Sequence, residues 1–406
     1  MRKVCRARVV GPLAAHADGF RAELAGLGYR PGSAENQVLV MARVSRWLAS
    51  EGLGASDLSA AVVEEVLAAW RAAAKPGARV PTARTLALLL GHLRAEGVLA
   101  ADVMVVAGSP LTDLLAGYRS YLVDDRGLAA RTVVRYELTA RQFLESRLVA
   151  VGGRTGAEGL TGGEVTSFLL EECARLSVAS AKSRVADLRS LLRFLHVSGV
   201  TASCLAASVP PVAGWRDARL VATLSADEVA AILASCDTAT ATGARDFAVL
   251  LVLARLGLRA AEVAGLQLGD VDWRAGEIMV RGKGGRVDAL PLSHELGDAL
   301  TEYLTRWRPR ADCRRLFVTR HAPWRGMHPN TVSRVVRVAC MRAGLPAVSA
   351  HRLRHALASE LLRQGSTLAE IGQVLRHRDL ATTALYAKVD RVALRSVAAP
   401  WPGAAR

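Results

Sequence analysis

HRLRHALASELLRQGSTLAEIGQVLRHRDLATTALY, residues 351–386, carries two clusters of His and Arg and then a tyrosine, set on short helical patterns. Leu353 to Gln364, Leu368 to Leu375 and Ala381 to Ala387 read as helices. His351 and Arg354 are three residues apart, so at the start of a helix they share a face. His377 precedes Tyr386 by nine residues. Two earlier patterns belong with these: Gly257-Leu258-Arg259-Ala-Ala-Glu262 and Gly282-Lys283-Gly284.

Around this stretch the C-terminal half reads as mixed. Gly276 to Leu292 has the form of a β-hairpin, with Ile278 and Val280 alternating on one arm, Val287 and Ala289 on the other, and Gly282 to Gly285 at the turn. Helical patterns cover Ala226 to Ser235, Ala244 to Leu256, Arg259 to Leu266, His294 to Trp307 and Asn330 to Ala343. Ser225 can cap the first of these, with Glu228 completing a capping box.

Working toward the N-terminus, Ala206-Ala-Ser-Val-Pro-Pro-Val-Ala-Gly-Trp215 is a linker, because Pro210-Pro211 cannot lie inside a helix. A second break falls near Gly108-Ser109-Pro110. The two segments before the linker look like copies. Trp47-Leu48 in the first answers to Phe143-Leu144 in the second. Leu86, Leu89, Leu90, Leu93 and Gly97-Val98 answer to Leu188, Leu191, Leu192, Leu195 and Gly199-Val200. Each Leu series is the stripe of an amphipathic helix stopped by glycine. The expected divisions are residues 1–107 and 108–208 as helical domains, a linker at 209–222, and a C-terminal domain at 223–406.

The 406 residues carry 53 Lys and Arg against 37 Asp and Glu, a formal charge of +16, which favours a polyanionic partner. No membrane span is evident: Phe247 to Leu258 is apolar but short, and Arg255 interrupts it. The N-terminus lacks the apolar run of a secretory signal. The six cysteines are far apart with no Cys-x-x-Cys pair, which argues against a zinc or redox motif and for reduced thiols.

The chemistry of the His, Arg and Tyr patterns fits a phosphodiester. Guanidinium groups present paired N–H donors to phosphate oxygens, and two of them with two imidazoles can hold a pentacoordinate phosphorane without a metal or cofactor. Each donor aimed at developing charge in such sites is worth on the order of 10²–10³ in rate. A tyrosine phenol, with an ordinary pKa of about 10, can attack and leave again. Its phosphodiester keeps the energy of the broken bond, so resealing needs no nucleotide. Only five lysines stand among the 53 basic residues, so a Lys at a hairpin turn is informative. Lysine can release a proton where arginine cannot, and Lys283 suits a general acid for the leaving 5′-oxygen.

Taken together, these boxes resemble the tyrosine recombinase (phage integrase) family over roughly Leu224 to Val389. The resemblance implies a mainly α fold with a small β-sheet, in which helical SAM-like DNA-binding domains precede an α+β catalytic domain. It implies Arg259, Lys283, His351, Arg354 and His377 as the phosphate-activating set and Tyr386 as nucleophile. Glu262 would brace the first arginine, and His355 would pack behind the site. It further implies a 3′-phosphotyrosine intermediate, double-stranded DNA with specific sites as substrate, a tetramer on that DNA, room for accessory proteins, and a cytoplasmic, nucleoid-associated location. Leu114 to Val200 would be the core-binding domain, and the copy at about 13–105 an addition that contacts further DNA or protein. Residues after Tyr386 would dock on a neighbouring protomer.

Two positions depart from the family pattern. Arg376 stands where glycine usually precedes the second catalytic histidine; arginine fits there if the backbone is not left-handed, and would then be able to reach DNA. Asp288 replaces an arginine usual in the hairpin. Neither is expected to touch the six catalytic residues. The leading reading is integration, excision or transposition of a mobile element. Resolution of chromosome or plasmid dimers is the nearest alternative, a type IB topoisomerase would share the chemistry, and a DNA-binding protein that no longer cuts is the alternative of another class.

Overall fold

A computed structural model describes residues 7–74, 82–99, 109–151, 153–213, 223–282, 285–376 and 383. The chain forms two compact units, Met1–Ala100 with Arg219–Arg406, and Ala101–Ala218. The fold is mainly α with a small antiparallel sheet, as expected. The N-terminal helices belong to the same compact unit as the C-terminal segment. Their apolar core is nonetheless separate from it. Within that unit the Trp324 ring lies so close to Gly28 that a Cβ there would come within 2.4 Å of it.

The first core is built by α1 (Ala17–Gly26), α2 (Pro31–Ser50), α3 (Ala60–Ala72) and α4 (Ala83–Ala95). It encloses Phe20, Leu24, Met41, Leu48, Leu86, Leu89 and Leu93. In the second unit α5 (Pro110–Ser120), α6 (Ala130–Val151), α7 (Gly162–Arg175) and α8 (Val178–Val197) enclose Tyr118, Phe143, Leu144, Leu188, Leu191, Leu192 and Leu195. The sequence likeness between the copies extends to backbone geometry. Helix α4 ends at Gly97 with φ +74°, and α8 at Gly199 with φ +73°. In both, the glycine N–H donates to the carbonyl three residues back (Arg94, His196), and the following valine N–H to the carbonyl five back (Leu93, Leu195). This is the same left-handed helix stop, built twice.

The C-terminal segment holds α9 (Ala226–Ala234), α10 (Ala241–Arg255), α11 (Ala260–Gly265), α12 (His294–Glu302), α13 (Pro329–Arg342), α14 (His351–Arg363) and α15 (Leu368–Val374). Ser225 accepts from the Glu228 N–H, and the Glu228 carboxylate accepts from the Ser225 N–H, the reciprocal cap read from the sequence. Helix α10 is buried along almost its whole length and is the axis of this core.

The sheet has strands β1 (Val271–Asp272), β2 (Glu277–Arg281) and β3 (Val287–Pro291), in the order β1-β2-β3. The hairpin is present, and β1 extends it. Its second arm has the opposite phase to the one expected. Ile278 pairs with Leu290 and Val280 with Asp288, so Asp288 and Leu290, not Val287 and Ala289, lie on the face of the buried Ile278 and Val280. Val287 is 49% exposed. A one-residue offset in a strand exchanges its faces, and the short apolar run gives no second signal to fix the phase.

Candidate active site

Helix α10 delivers the chain to a turn at Gly257, where two constraints coincide. The backbone has φ +58°, and a Cβ would lie 2.8 Å from a Leu375 methyl and 3.0 Å from a Leu357 methyl. Only glycine meets both. The turn places Arg259 as the N-cap of α11, in extended conformation. Three residues on, Glu262 reaches back. One carboxylate oxygen accepts from the Arg259 backbone N–H at 2.9 Å, and the other from its guanidinium at 2.7 Å. Glu262 is buried, while the Arg259 side chain remains 43% exposed, so the carboxylate is an anchor and the arginine keeps an open face.

Helix α14 begins at His351. His351 lies at the surface, and its ring meets that of His355 edge-on at 4.4 Å between centroids. His355 is buried. Arg354, between them, is fully enclosed. Its guanidinium donates to the Gly257 carbonyl and to the Leu375 carbonyl. A single side chain therefore ties the turn before Arg259, the start of α14 and the end of α15.

The same neighbourhood acts on His351. Burial of its ring by surrounding atoms, then the charges of Arg354, Arg259 and Arg352, push its pKa below the ordinary value of 6.5. Near neutral pH the imidazole is therefore uncharged, able to donate one hydrogen bond and accept another.

Arg376 corrects two expectations. It follows the Leu375 cap of α15 with φ +54°, the left-handed conformation in which glycine is usual, and among the described residues it is the one non-glycine with positive φ. Its side chain does not reach outward. It is 6% exposed and pairs with Glu262 at 2.9 Å, so it does touch the partner of Arg259. The sequence carried a signal for this in the replaced glycine, but not its direction.

Lys283, His377 and Tyr386 lie outside the described residues. Thr383, three residues before Tyr386, is buried. Of the other five tyrosines, Tyr118 and Tyr303 are core residues whose phenol pKa burial raises further above 10. The arrangement that is described brings Arg259, Glu262, His351, Arg354, His355 and Arg376 together from three segments far apart in sequence. Its chemistry is that of one open guanidinium, Arg259, offered to a phosphate group beside neutral imidazole, while Arg354 is enclosed here with donors on main-chain carbonyls.

Comparison with known proteins agrees with this chemistry. Residues 222–392 match the family model described as the phage integrase family. A candidate integrase/recombinase, y4rA, of Sinorhizobium fredii is 40% identical over 98% of this chain and 96% of its own length. The tyrosine recombinase XerD of Mycobacterium tuberculosis is 31% identical over 71% of this chain and 96% of its own. Among solved structures, lambda integrase, as a dimer bound to a COC′ core site, superposes with TM-score 0.53 over 79% of this chain and 89% of that one, at 17% identity. XerH, a site-specific recombinase bound to difH in a post-cleavage complex, does so with TM-score 0.52 over 98% of each chain at 16% identity. The chain belongs to the phage integrase family, the tyrosine-type site-specific recombinases that break and rejoin DNA.

Proposed function

We propose that this recombinase moves the ends of a mobile element, by integration, excision or transposition, with Tyr386 as nucleophile. The observation that supports this reading over dimer resolution is the extent of the sequence likeness. The integrase/recombinase y4rA matches 98% of the chain, N-terminal helices included, whereas the XerD proteins match about 71%.

The Tyr386 hydroxyl gives its proton to solvent as its oxygen attacks the scissile phosphorus, forming a 3′-phosphotyrosine ester and releasing a 5′-hydroxyl whose proton comes from Lys283. Arg259, His351 and His377 bind the non-bridging oxygens and the charge that grows on them, and Arg354 joins them by turning a donor away from the Gly257 or Leu375 carbonyl that it holds in this structure. The 5′-hydroxyl of a partner duplex then attacks the ester, and the tyrosine leaves. Glu262 holds Arg259, and His355 packs behind His351. Double-stranded DNA with specific sites is the substrate, and four copies of this chain act together on two sites in the cytoplasm, at the nucleoid. Residues 108–208 supply the core-binding domain, 209–222 the linker and 223–406 the catalytic domain. Residues 1–107 make further contacts with DNA or with another protomer.

The test uses DNA spanning the boundaries of the region that encodes the chain. Purified protein is incubated with it, the reaction is stopped with detergent, and covalent protein–DNA species are sought. Wild type should give an adduct and Tyr386→Phe none. An adduct that survives in Tyr386→Phe assigns the nucleophile to another tyrosine, and salt-sensitive binding without an adduct points to a protein that binds but does not cut.

A further inference from the structure

Glu262 is held by two arginines, one on either oxygen. Its first oxygen takes the Arg259 guanidinium at 2.7 Å, and its second takes Arg376 at 2.9 Å together with the Arg259 backbone N–H. Glu262 and Arg376 are 7% and 6% exposed, so this second contact is desolvated, whereas Arg259 is largely open.

The backbone and the burial of Arg376 both oppose stability. An L-residue other than glycine adopts φ +54° only at a cost. Burial is the main cause that pushes its pKa below the ordinary arginine value, a sign that the enclosed charge is unfavourable there. One terminal nitrogen, Nη1, is buried without a partner among the described residues. The benefit must lie in what the side chain holds.

The other departure from the family pattern lies in the same neighbourhood. Asp288 sits across from the buried Val280, with its side chain 15% exposed and paired to Arg286 at 2.6 Å. After Glu262, its charge is the next favourable influence on Arg376, against the opposing charges of Arg259 and Arg286.

We propose that Arg376 is a positioning residue for strand cutting: from a left-handed backbone it fixes the Glu262 carboxylate, and through it the open guanidinium of Arg259. This rests on the assignment of Arg259 to the phosphate and Tyr386 to the attack.

The experiment measures the single-turnover rate of adduct formation at saturating DNA, DNA affinity and melting temperature, on the boundary fragment that wild type cleaves. Arg376→Gly should melt no lower than wild type and bind DNA within about twofold, yet cleave at least tenfold more slowly. In a Glu262→Gln background it should add less than twofold, because its effect passes through that carboxylate. Arg376→Asn, which also accepts the left-handed backbone, carries the comparison should the glycine variant not fold. Arg376→Gly cleaving within twofold of wild type overturns the proposal. So does a loss matched by a drop in melting temperature or affinity, which is the mark of a structural role. In either case abolition of the adduct by Tyr386→Phe leaves the functional reading standing. An adduct that persists in Tyr386→Phe, or none from wild type on either boundary, removes that reading and this proposal with it.

Discussion

A guanidinium sealed in the core and one half open to solvent fail differently when removed. Arg354 donates to two main-chain carbonyls that belong to separate segments. Arg354→Met leaves both without these donors, at about 1–3 kcal/mol for each buried carbonyl. Arg259 is 43% exposed, and Glu262 keeps Arg376 when it is lost, so Arg259→Met should cost less than about 1 kcal/mol. Both variants should lose adduct formation. Urea denaturation separates them, and equal losses of stability would mean that Arg354 does not tie the two segments together. His351 supplies a second test at this scale. Its folded pKa lies below its unfolded value of about 6.5, so the unfolded chain binds more protons as pH falls. The stability it contributes is present above pH 6.5 and is lost as pH falls below that. In the role proposed for His351 it is the neutral imidazole that acts, so the His351-dependent part of the cleavage rate should hold from pH 8 to 6.5 and decline only below. The part is read as the difference between wild type and His351→Gln across pH. A decline that begins above pH 7 would show that the protonated form is the active one.

Elements were legible where their spacing repeated and opaque where a single residue set the phase. The Leu series of α4 and α8 fixed both stripes and both glycine stops, because each helix offers several turns of agreeing signal. Strand β3 offers five residues, and its apolar ones fall on both faces; Asp288 was therefore read on the wrong side. The backbone of Arg376 was unreadable for a related reason. Sequence shows that glycine is absent, but whether the helix stop persists without it depends on a contact with Glu262, 114 residues away. The family itself was plain, since each of its boxes is local and chemically distinctive. The doubled helix stop makes a quantitative prediction. At Gly97 and Gly199 a Cβ would meet nothing within 4 Å, so only backbone strain opposes alanine. Gly97→Ala and Gly199→Ala should each lose about 1–2 kcal/mol in chemical denaturation. The two losses should agree. A marked inequality would mean that the copies differ in how their helices end.

At the scale of the whole molecule, charge separates the regions more clearly than packing does. Residues 223–406 carry 26 Lys and Arg against 17 Asp and Glu, residues 108–208 carry 12 against 10, and residues 1–107 carry 13 against nine. The C-terminal region thus holds more than half of the net +16. Affinity for duplex DNA should fall steeply with salt, because each phosphate neutralised releases counterions, with a log–log slope of about −0.9 per contact. If binding follows this distribution, a chain lacking residues 1–105 retains most of the slope of the full protein and loses a minority of it, together with part of the footprint. Its melting profile must first show that the remaining helices hold, since the missing helices share a compact unit with the C-terminal segment. A folded truncated chain with unchanged slope and footprint would assign the N-terminal copy to protein contacts. One that loses most of its slope would place the main electrostatic grip on the N-terminal helices, against the distribution of charge along the chain.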